Sequence, residues 1–215
     1  ITSKGKGTLF VSQNAKKAGG LVDLAEKHGI QVKYVSPARL KRLNPRGGSW
    51  CLQEAPEAGR RPDLDRWIEE RAEMDALVVL LDHVTDPHNL GAVLRSCEQF
   101  RADLVVIPDR RSAGLGGVVA DTSAGAVQHV AVSTVPNLAN AVSKLKEAGF
   151  WVYAAHMEGE RIWDVSFPGR AVLVLGSEGK GVSELLQKRS DGLVSIPRYG
   201  RIDSLNVSVA AGICL

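Results

Sequence analysis

Three stretches of the chain set polar side chains beside glycines or at the mouths of apolar elements, where ligand chemistry could be done. The first is DHVTDPHNLGAVLRSCEQF (82–100). Asp86-Pro87 makes a turn, and Asn89 can cap the helix that follows. Leu90, Val93, Leu94, Cys97 and Phe100 recur at helical spacing as a buried stripe, which leaves Arg95 on the opposite side. Helical side chains lean toward the N-terminus, so Arg95 can reach back over Gly91 toward Asn89. On its own this pair reads equally as an ordinary surface arginine and an ordinary cap.

The second stretch, VLVLGSEGKGV (172–182), is a strand running directly into a glycine-rich turn. Gly176, Gly179 and Gly181 allow positive φ and close approach of backbone to a ligand. The order differs from both the P-loop GxxxxGK[ST] and the dinucleotide GxGxxG. Glu178 is its one acid, and serves a neighbouring backbone N–H as readily as a substrate. In the third stretch, IPRYGRIDSLNVSVAAGICL (196–215), a basic loop is followed by a helix expected to start at Ser204 and to be apolar on nearly every side. Ser204 and Asn206 at the mouth of so apolar an element need partners, because an unpaired buried polar group costs about 1–3 kcal/mol. A ligand is a natural partner.

The elements that must position these residues alternate. LVVLL (77–81), a helix 89–100, LVVI (104–107), a small-residue helix near 116–126, a strand near 129–133, a helix 137–148, WVYAA (151–155), AVLVL (171–175), a helix 182–189 and LVSI (193–196) precede the last helix. Continuous β-branched runs between helices predict a parallel sheet covered on both faces. Ligands of such sheets bind at the carboxyl ends of the strands, which singles out the turns after Leu81, Leu175 and Ile196. Ahead of this lies a shorter pattern: a strand 8–12, a helix from about Lys16 to His28, a strand 31–35, a basic helix with Ser36 as N-cap and Pro37 in its first turn, and a strand 50–53. EAPEAGRRP (54–62) reads as a linker, and 63–74 as a charged amphipathic helix. The expected organisation is a small domain over 1–54, a linker and connecting helix over 55–74, and a catalytic domain over 75–215. Both ends are expected to be incomplete, since the chain opens on Ile1 and stops at Leu215 inside a helical pattern.

Charge divides along the same line. Residues 1–61 carry 12 Lys/Arg against four acids, a net +8, whereas the remainder is −5. A basic block joined to an acidic one suggests that the first docks on phosphates, with Lys33, Arg39 and Arg42 as candidates there. Cys51, Cys97 and Cys214 are too far apart for a disulfide framework or a metal knuckle, and His83 and His88 have no third ligand at metal spacing and read as loop residues. No metal is expected. No apolar run is long enough to span a membrane, and a cytoplasmic location is expected.

Taken together, NLGAVLR (89–95), LVLGSEGKG (173–181) and SIPRYGRIDSLNVSVAAGICL (195–215) resemble the SpoU/TrmH family of RNA ribose 2′-O-methyltransferases in the SPOUT superfamily. The likeness covers roughly 75–215, and it is closest to the RlmB-type enzymes that methylate a guanosine of 23S ribosomal RNA. Residues 1–54 are similar to part of a ribosomal-protein-like RNA-binding fold. The resemblance implies a parallel α/β SPOUT domain whose C-terminal segment is threaded into a trefoil knot, where sequence rules alone would draw an open doubly wound sheet. It also implies S-adenosyl-L-methionine as cofactor, RNA as partner, and a homodimer formed through the knot region.

The implied reaction is an in-line displacement on the sulfonium methyl by a ribose 2′-oxygen, which demands orientation and removal of a weakly acidic proton. By resemblance the backbone of Leu175, Gly176, Ile196 and Leu205 lines the cofactor pocket, and Asn89, Arg95, Glu178, Ser204 and Asn206 map onto catalytic positions. Arg95 is either a general base or, because a guanidinium stays protonated, a clamp on phosphate that stabilises the developing oxyanion, with Ser204 and Asn206 fixing ribose and cofactor. Arg198 and Arg201 join the N-terminal module in holding RNA. The alternatives are the same reaction on transfer RNA or another ribosomal site, and a non-catalytic RNA-binding protein that keeps the fold. A nucleotide-dependent oxidoreductase lacks its glycine fingerprint.

Overall fold

The apolar runs become strands buried on both faces. The computed structural model describes residues 7–15, 19–44, 47–54, 61–72, 74–201 and 204–215, and the chain divides into two compact units, Ile1–Ala58 and Gly59–Leu215. The start of the helix expected from Lys16, most of the 54–62 linker and the cations Lys4, Lys6, Lys16, Lys17, Arg46 and Arg60 lie outside the described residues.

The first unit has strands β1 (Gly7–Ser12), β2 (Gln31–Val35) and β3 (Trp50–Glu54), with helices α1 (Gly19–Lys27) and α2 (Pro37–Leu43). The sheet order is β2-β1-β3; β1 runs parallel to β2 and antiparallel to β3. Strand β1 alternates, so Leu9 and Val11 pack with Ala25 and Ile30 while Phe10 packs with Val35 and Leu40. The Ser36 side chain accepts the Arg39 N–H at 3.4 Å, with Pro37 opening α2. Lys33, Arg39 and Arg42 are all exposed.

The second unit begins with α3 (Leu64–Glu69), followed by β4 (Ala76–Asp82), α4 (Pro87–Gln99), β5 (Leu104–Pro108), α5 (Gly117–Thr122), β6 (Val132–Val135), α6 (Leu138–Glu147), β7 (Trp151–Arg161), β8 (Arg170–Gly176), α7 (Glu184–Arg189), β9 (Gly192–Ser195) and α8 (Val207–Cys214). Its six strands are all parallel, in the order β6-β5-β4-β8-β7-β9. Val79, Leu81, Leu173 and Leu175 face one core with Leu90, Leu94 and Ala211, whereas Val78, Leu80, Val172 and Val174 face a second with Trp67, Leu145 and Leu186. Burial on both sides is the reason these strands read as unbroken apolar runs.

Several boundaries differ from expectation for local reasons. Helix α3 stops at Glu69 because the carbonyls of Arg71 and Met74 turn to the Arg170 guanidinium, at 2.7 Å each. Asp63 caps it, accepting the N–H groups of Asp65 and Arg66 at 3.1 and 3.2 Å. Asp63→Ala is expected to lower stability by about 1 kcal/mol, read as a shift in urea midpoint with an unchanged slope.

Helix α4 begins two residues early. Its cap is Asp86, which accepts the His88 N–H at 2.9 Å, and Pro87 takes the first position. Asn89, expected to be the cap, sits inside the first turn, which frees its amide for another partner, and His88 is helical rather than a loop residue. Phe100 follows the helix and is half-exposed, so it leaves the stripe formed by Leu90, Val93, Leu94 and Cys97. The helix near 116–126 breaks after Thr122 and resumes as a single turn at Ala126–Gln128, past Gly125 at φ 87°. Strand β6 starts at Val132, β7 continues to Arg161, and α7 starts at Glu184. The last helix starts at Val207 with Asn206 as its cap, not at Ser204. Val207 and Ala211 of α8 are buried, while Val209 and Ile213 are about half exposed, so a helix that is apolar on nearly every side is buried along one face.

Candidate active site

The winding of the sheet locates the site. From β4 the chain proceeds outward to β5 and β6, while β8 and β7 lie on the other side, so the direction reverses between β4 and β8. That is where an open α/β sheet leaves a crevice at its carboxyl edge. The register pairs Asp82 with Gly176, setting the first and second motif loops side by side.

Asp82, 2% exposed, ties the two loops together. Its carboxylate accepts the Ser183 N–H at 2.8 Å and pairs with His83 Nδ1 at 2.6 Å, His83 having left-handed backbone at φ 58°. A charged acceptor at the end of a buried strand holds its place only if such donors meet it. The glycine loop turns tightly, with the Gly181 N–H donating to the Ser177 carbonyl at 2.8 Å and Gly179 and Gly181 at φ 81° and 65°. Gly176 lies so close beneath Gly181 and Val182 that a Cβ there would overlap their main chain.

The third motif arrives from the sheet edge. Strand β9 lies at the sheet edge beside β7, yet α8 packs against α4, the helix after β4. From β9 to β4 the sheet spans three strand spacings, about 14 Å. At the head of α8, Asn206 Oδ1 accepts the Ser208 N–H at 2.9 Å and the Ser208 hydroxyl at 2.5 Å. This fixes the amide, so that Asn206 Nδ2 donates to Asn89 Oδ1 at 3.0 Å and to Glu178 Oε1. Asn89 Nδ2 completes the triangle by donating to the same Glu178 oxygen at 3.1 Å. One residue from each motif thus meets in a single network on the crevice rim.

Glu178 takes side-chain amides as partners rather than the backbone N–H that its loop suggested. Arg95 stays outside the network: it is exposed and, among the described residues, makes no hydrogen bond or ion pair. Six residues separate it from Asn89 on α4, which is about 9 Å of rise and about 120° of turn, so the expected reach back to Asn89 is not made. Ser204 is exposed without a side-chain hydrogen bond to a described residue. Leu175 is buried, Gly176 and Ile196 are partly buried, and Leu205 is 47% exposed. Asp82 and Ser208 were missed by sequence reasoning. The only signal for Asp82 was a carboxylate closing an apolar strand, and for Ser208 a hydroxyl two residues after a capping asparagine.

Neither Cys97 nor Cys214 offers a nucleophile here. Burial pushes the Cys97 thiol up to about 12 and the Cys214 thiol up to about 11. Among the described residues no group of three or more His, Cys, Asp or Glu comes together as metal ligands, and no helix is long and apolar enough to cross a membrane.

The SpoU rRNA Methylase family matches residues 76–215. A protein of Borreliella burgdorferi named as an uncharacterized tRNA/rRNA methyltransferase is 45% identical over 216 residues, covering 96% of this chain and 95% of the relative. The 23S rRNA (guanosine-2′-O-)-methyltransferase RlmB of Xanthomonas campestris is 40% identical over 199 residues, 89% of this chain and 78% of that one. Among solved structures, the SpoU methyltransferase AviRb of Streptomyces viridochromogenes, in complex with the cofactor AdoMet, superposes with a TM-score of 0.70 at 26% identity, covering 96% of this chain and 79% of that one.

Proposed function

The chain belongs to the SpoU rRNA methylase family of RNA methyltransferases, and from that membership we propose that it methylates a ribose 2′-hydroxyl of RNA, with S-adenosylmethionine as donor and a guanosine of 23S ribosomal RNA as target. The observation that carries this reading is the Asn89–Glu178–Asn206 network, in which three distant motifs meet at the crevice between β4 and β8.

The residues present fit such a cofactor. Gly176, Gly179 and Gly181 keep the turn after β8 short of side chains, Gly176 packing directly on the Gly181 and Val182 main chain, and the half-exposed Leu205 offers apolar surface that a planar base could cover. Leu175, Gly176, Ile196 and Leu205 would hold S-adenosylmethionine, which when bound supplies a methyl group activated by its sulfonium. Glu178 has one oxygen occupied by the two amides and a second that takes no hydrogen bond from a described residue. That second oxygen can accept from a ribose hydroxyl. Asn89 and Asn206 lock the carboxylate in place at no cost of reorganisation, Ser204 offers a further hydroxyl at the rim, and the unpaired Arg95 clamps the phosphate and stabilises negative charge on the 2′-oxygen.

In the same reading the return of α8 from the sheet edge to α4 is the closing pass of a trefoil knot, and the exposed Val209 and Ile213 of α8 belong to a homodimer contact. The first unit is the RNA-binding domain of a cytoplasmic enzyme, docking through Lys33, Arg39 and Arg42, with Arg198 and Arg201 contacting RNA beside the site. Docking by phosphates predicts that RNA affinity falls roughly 10- to 100-fold between about 50 and 200 mM salt, measured by filter binding; a flat response would remove the electrostatic role of that unit. The reaction itself is tested with purified protein, labelled S-adenosylmethionine and unmodified ribosomal RNA, followed by alkaline hydrolysis. The expected result is label in an alkali-resistant linkage at a guanosine. Label on a base would overturn the assigned chemistry, and label confined to transfer RNA the assigned target.

A further inference from the structure

Of the large apolar and aromatic side chains at the surface of the described residues, Tyr199 is the most exposed, at 93%. It stands in the loop after β9, between the exposed Arg198 and Arg201, on the stretch that leads to Asn206. The root of that loop is fixed. The Ser195 hydroxyl donates to the Gly159 carbonyl at 2.7 Å, β7 presses on β9 closely enough that a Cβ at Gly159 would meet the Leu193 and Val194 main chain, and Arg198 Nη1 lies 3.4 Å from Met157 Sδ. The far end is held by the Asn89–Glu178–Asn206 network.

A ring displayed in water from a loop anchored at both ends forgoes the burial that a tyrosine normally finds. It has two side-chain torsions to immobilise, and cations on either side. Those are the ingredients of a stacking platform for single-stranded nucleic acid, on which a base face covers the ring while guanidinium groups meet the backbone. A continuous duplex hides its base faces, so the partner must be an unpaired or splayed base. We infer that Tyr199 stacks on an unpaired nucleobase of the RNA substrate next to the methylated nucleotide, with Arg201 on the adjoining phosphate, and so makes the enzyme select single-stranded or opened sites. This rests on the RNA methyltransferase reading above.

The experiment compares Tyr199→Ala with the parent chain by fluorescence anisotropy, using one short labelled RNA as a single strand and as a duplex. Loss of a base stack is expected to weaken single-strand binding roughly tenfold and to change duplex binding much less. Tyr199→Phe, which keeps the ring, should recover most of the loss, and Tyr199→Leu should not. In turnover with a ribosomal RNA transcript the effect should fall on KM for RNA rather than on kcat. Equal losses for both RNA forms, no loss, or full recovery by leucine would each overturn the inference. So would a weakened calorimetric affinity for S-adenosylmethionine with RNA binding intact, which would move the ring to the cofactor side. If the parent chain transfers no methyl to any RNA, the reaction assignment fails, while the anisotropy comparison still decides whether Tyr199 stacks on RNA.

Discussion

Arg95→Ala is expected to cut methyl transfer by roughly 100- to 1,000-fold, the scale for removing one charge-stabilising donor from an active site. It should leave thermal unfolding and S-adenosylmethionine binding close to the parent values. The two halves of that expectation come from the same fact. Arg95 is exposed on α4 and has no side-chain partner among the described residues, so the fold loses almost nothing with it, and exposed substitutions of this kind stay within about 0.5 kcal/mol. In the proposed reading, a guanidinium on the open side of α4 with no partner among the described residues is left for the substrate phosphate. Arg95→Lys keeps the charge but loses the planar fork that grips a phosphate at two oxygens, and should recover only part of the rate. A pH–rate profile separates the two roles. A clamp contributes at every pH at which the protein is folded, whereas a base must titrate, and the slope of log rate at low pH would then disappear with Arg95. Single-turnover transfer by Arg95→Ala at the parent rate would remove Arg95 from the reaction in either role.

How much of this was legible in the sequence depends on whether a residue's partners are near in the chain. The runs 77–81 and 171–175 announced themselves as two-sided strands because burial on both faces leaves no polar position to blur the pattern. The Ser36-Pro37 start of α2 was legible because a cap and its N–H partner lie three residues apart. Where two caps competed, sequence reasoning chose wrongly. Asp86 and Asn89 can both open a helix, and Asp86 takes the position because Asn89 has better partners 89 and 117 residues away, at Glu178 and Asn206. Asn206 takes the head of α8 in place of Ser204 because its Oδ1 accepts from Ser208 while its Nδ2 stays free to reach Asn89 and Glu178. The motifs could be assigned to one crevice from their positions after strands, but their meeting in one hydrogen-bonded triangle could not, because it depends on the last segment crossing from the sheet edge to α4. Arg95 shows the converse: helical spacing placed it correctly on the open side of α4, but the reach toward Asn89 failed because Asn89 already faces another way around the helix.

Gly176→Ala tests whether the second loop is a built cradle rather than a permissive turn. A methyl at this position would overlap the Gly181 carbonyl and the Val182 nitrogen, main-chain atoms that cannot rotate away as a side chain could. The loop would have to lift from the end of β8. Lifting it strains the Ser177–Gly181 hydrogen bond and pulls Ser183 from the carboxylate of Asp82, which is buried and would be left short of a donor. Overpacking of this kind costs about 1–3 kcal/mol and a buried acceptor losing its partner a comparable amount. Unfolding should therefore move down by roughly 5–20 °C. Affinity for S-adenosylmethionine should fall at least about tenfold, since the same main chain that shifts is the surface the cofactor would rest on. Gly179→Ala provides the contrast: a Cβ there meets no atom within 4 Å, and only the left-handed φ of 81° is strained, so its cost is near 1 kcal/mol. Calorimetry showing Gly176→Ala binding S-adenosylmethionine as tightly as Gly179→Ala would mean that the close approach beneath Gly181 shapes the turn and not the pocket. The cofactor surface would then have to be sought on the Ile196 and Leu205 side of the crevice.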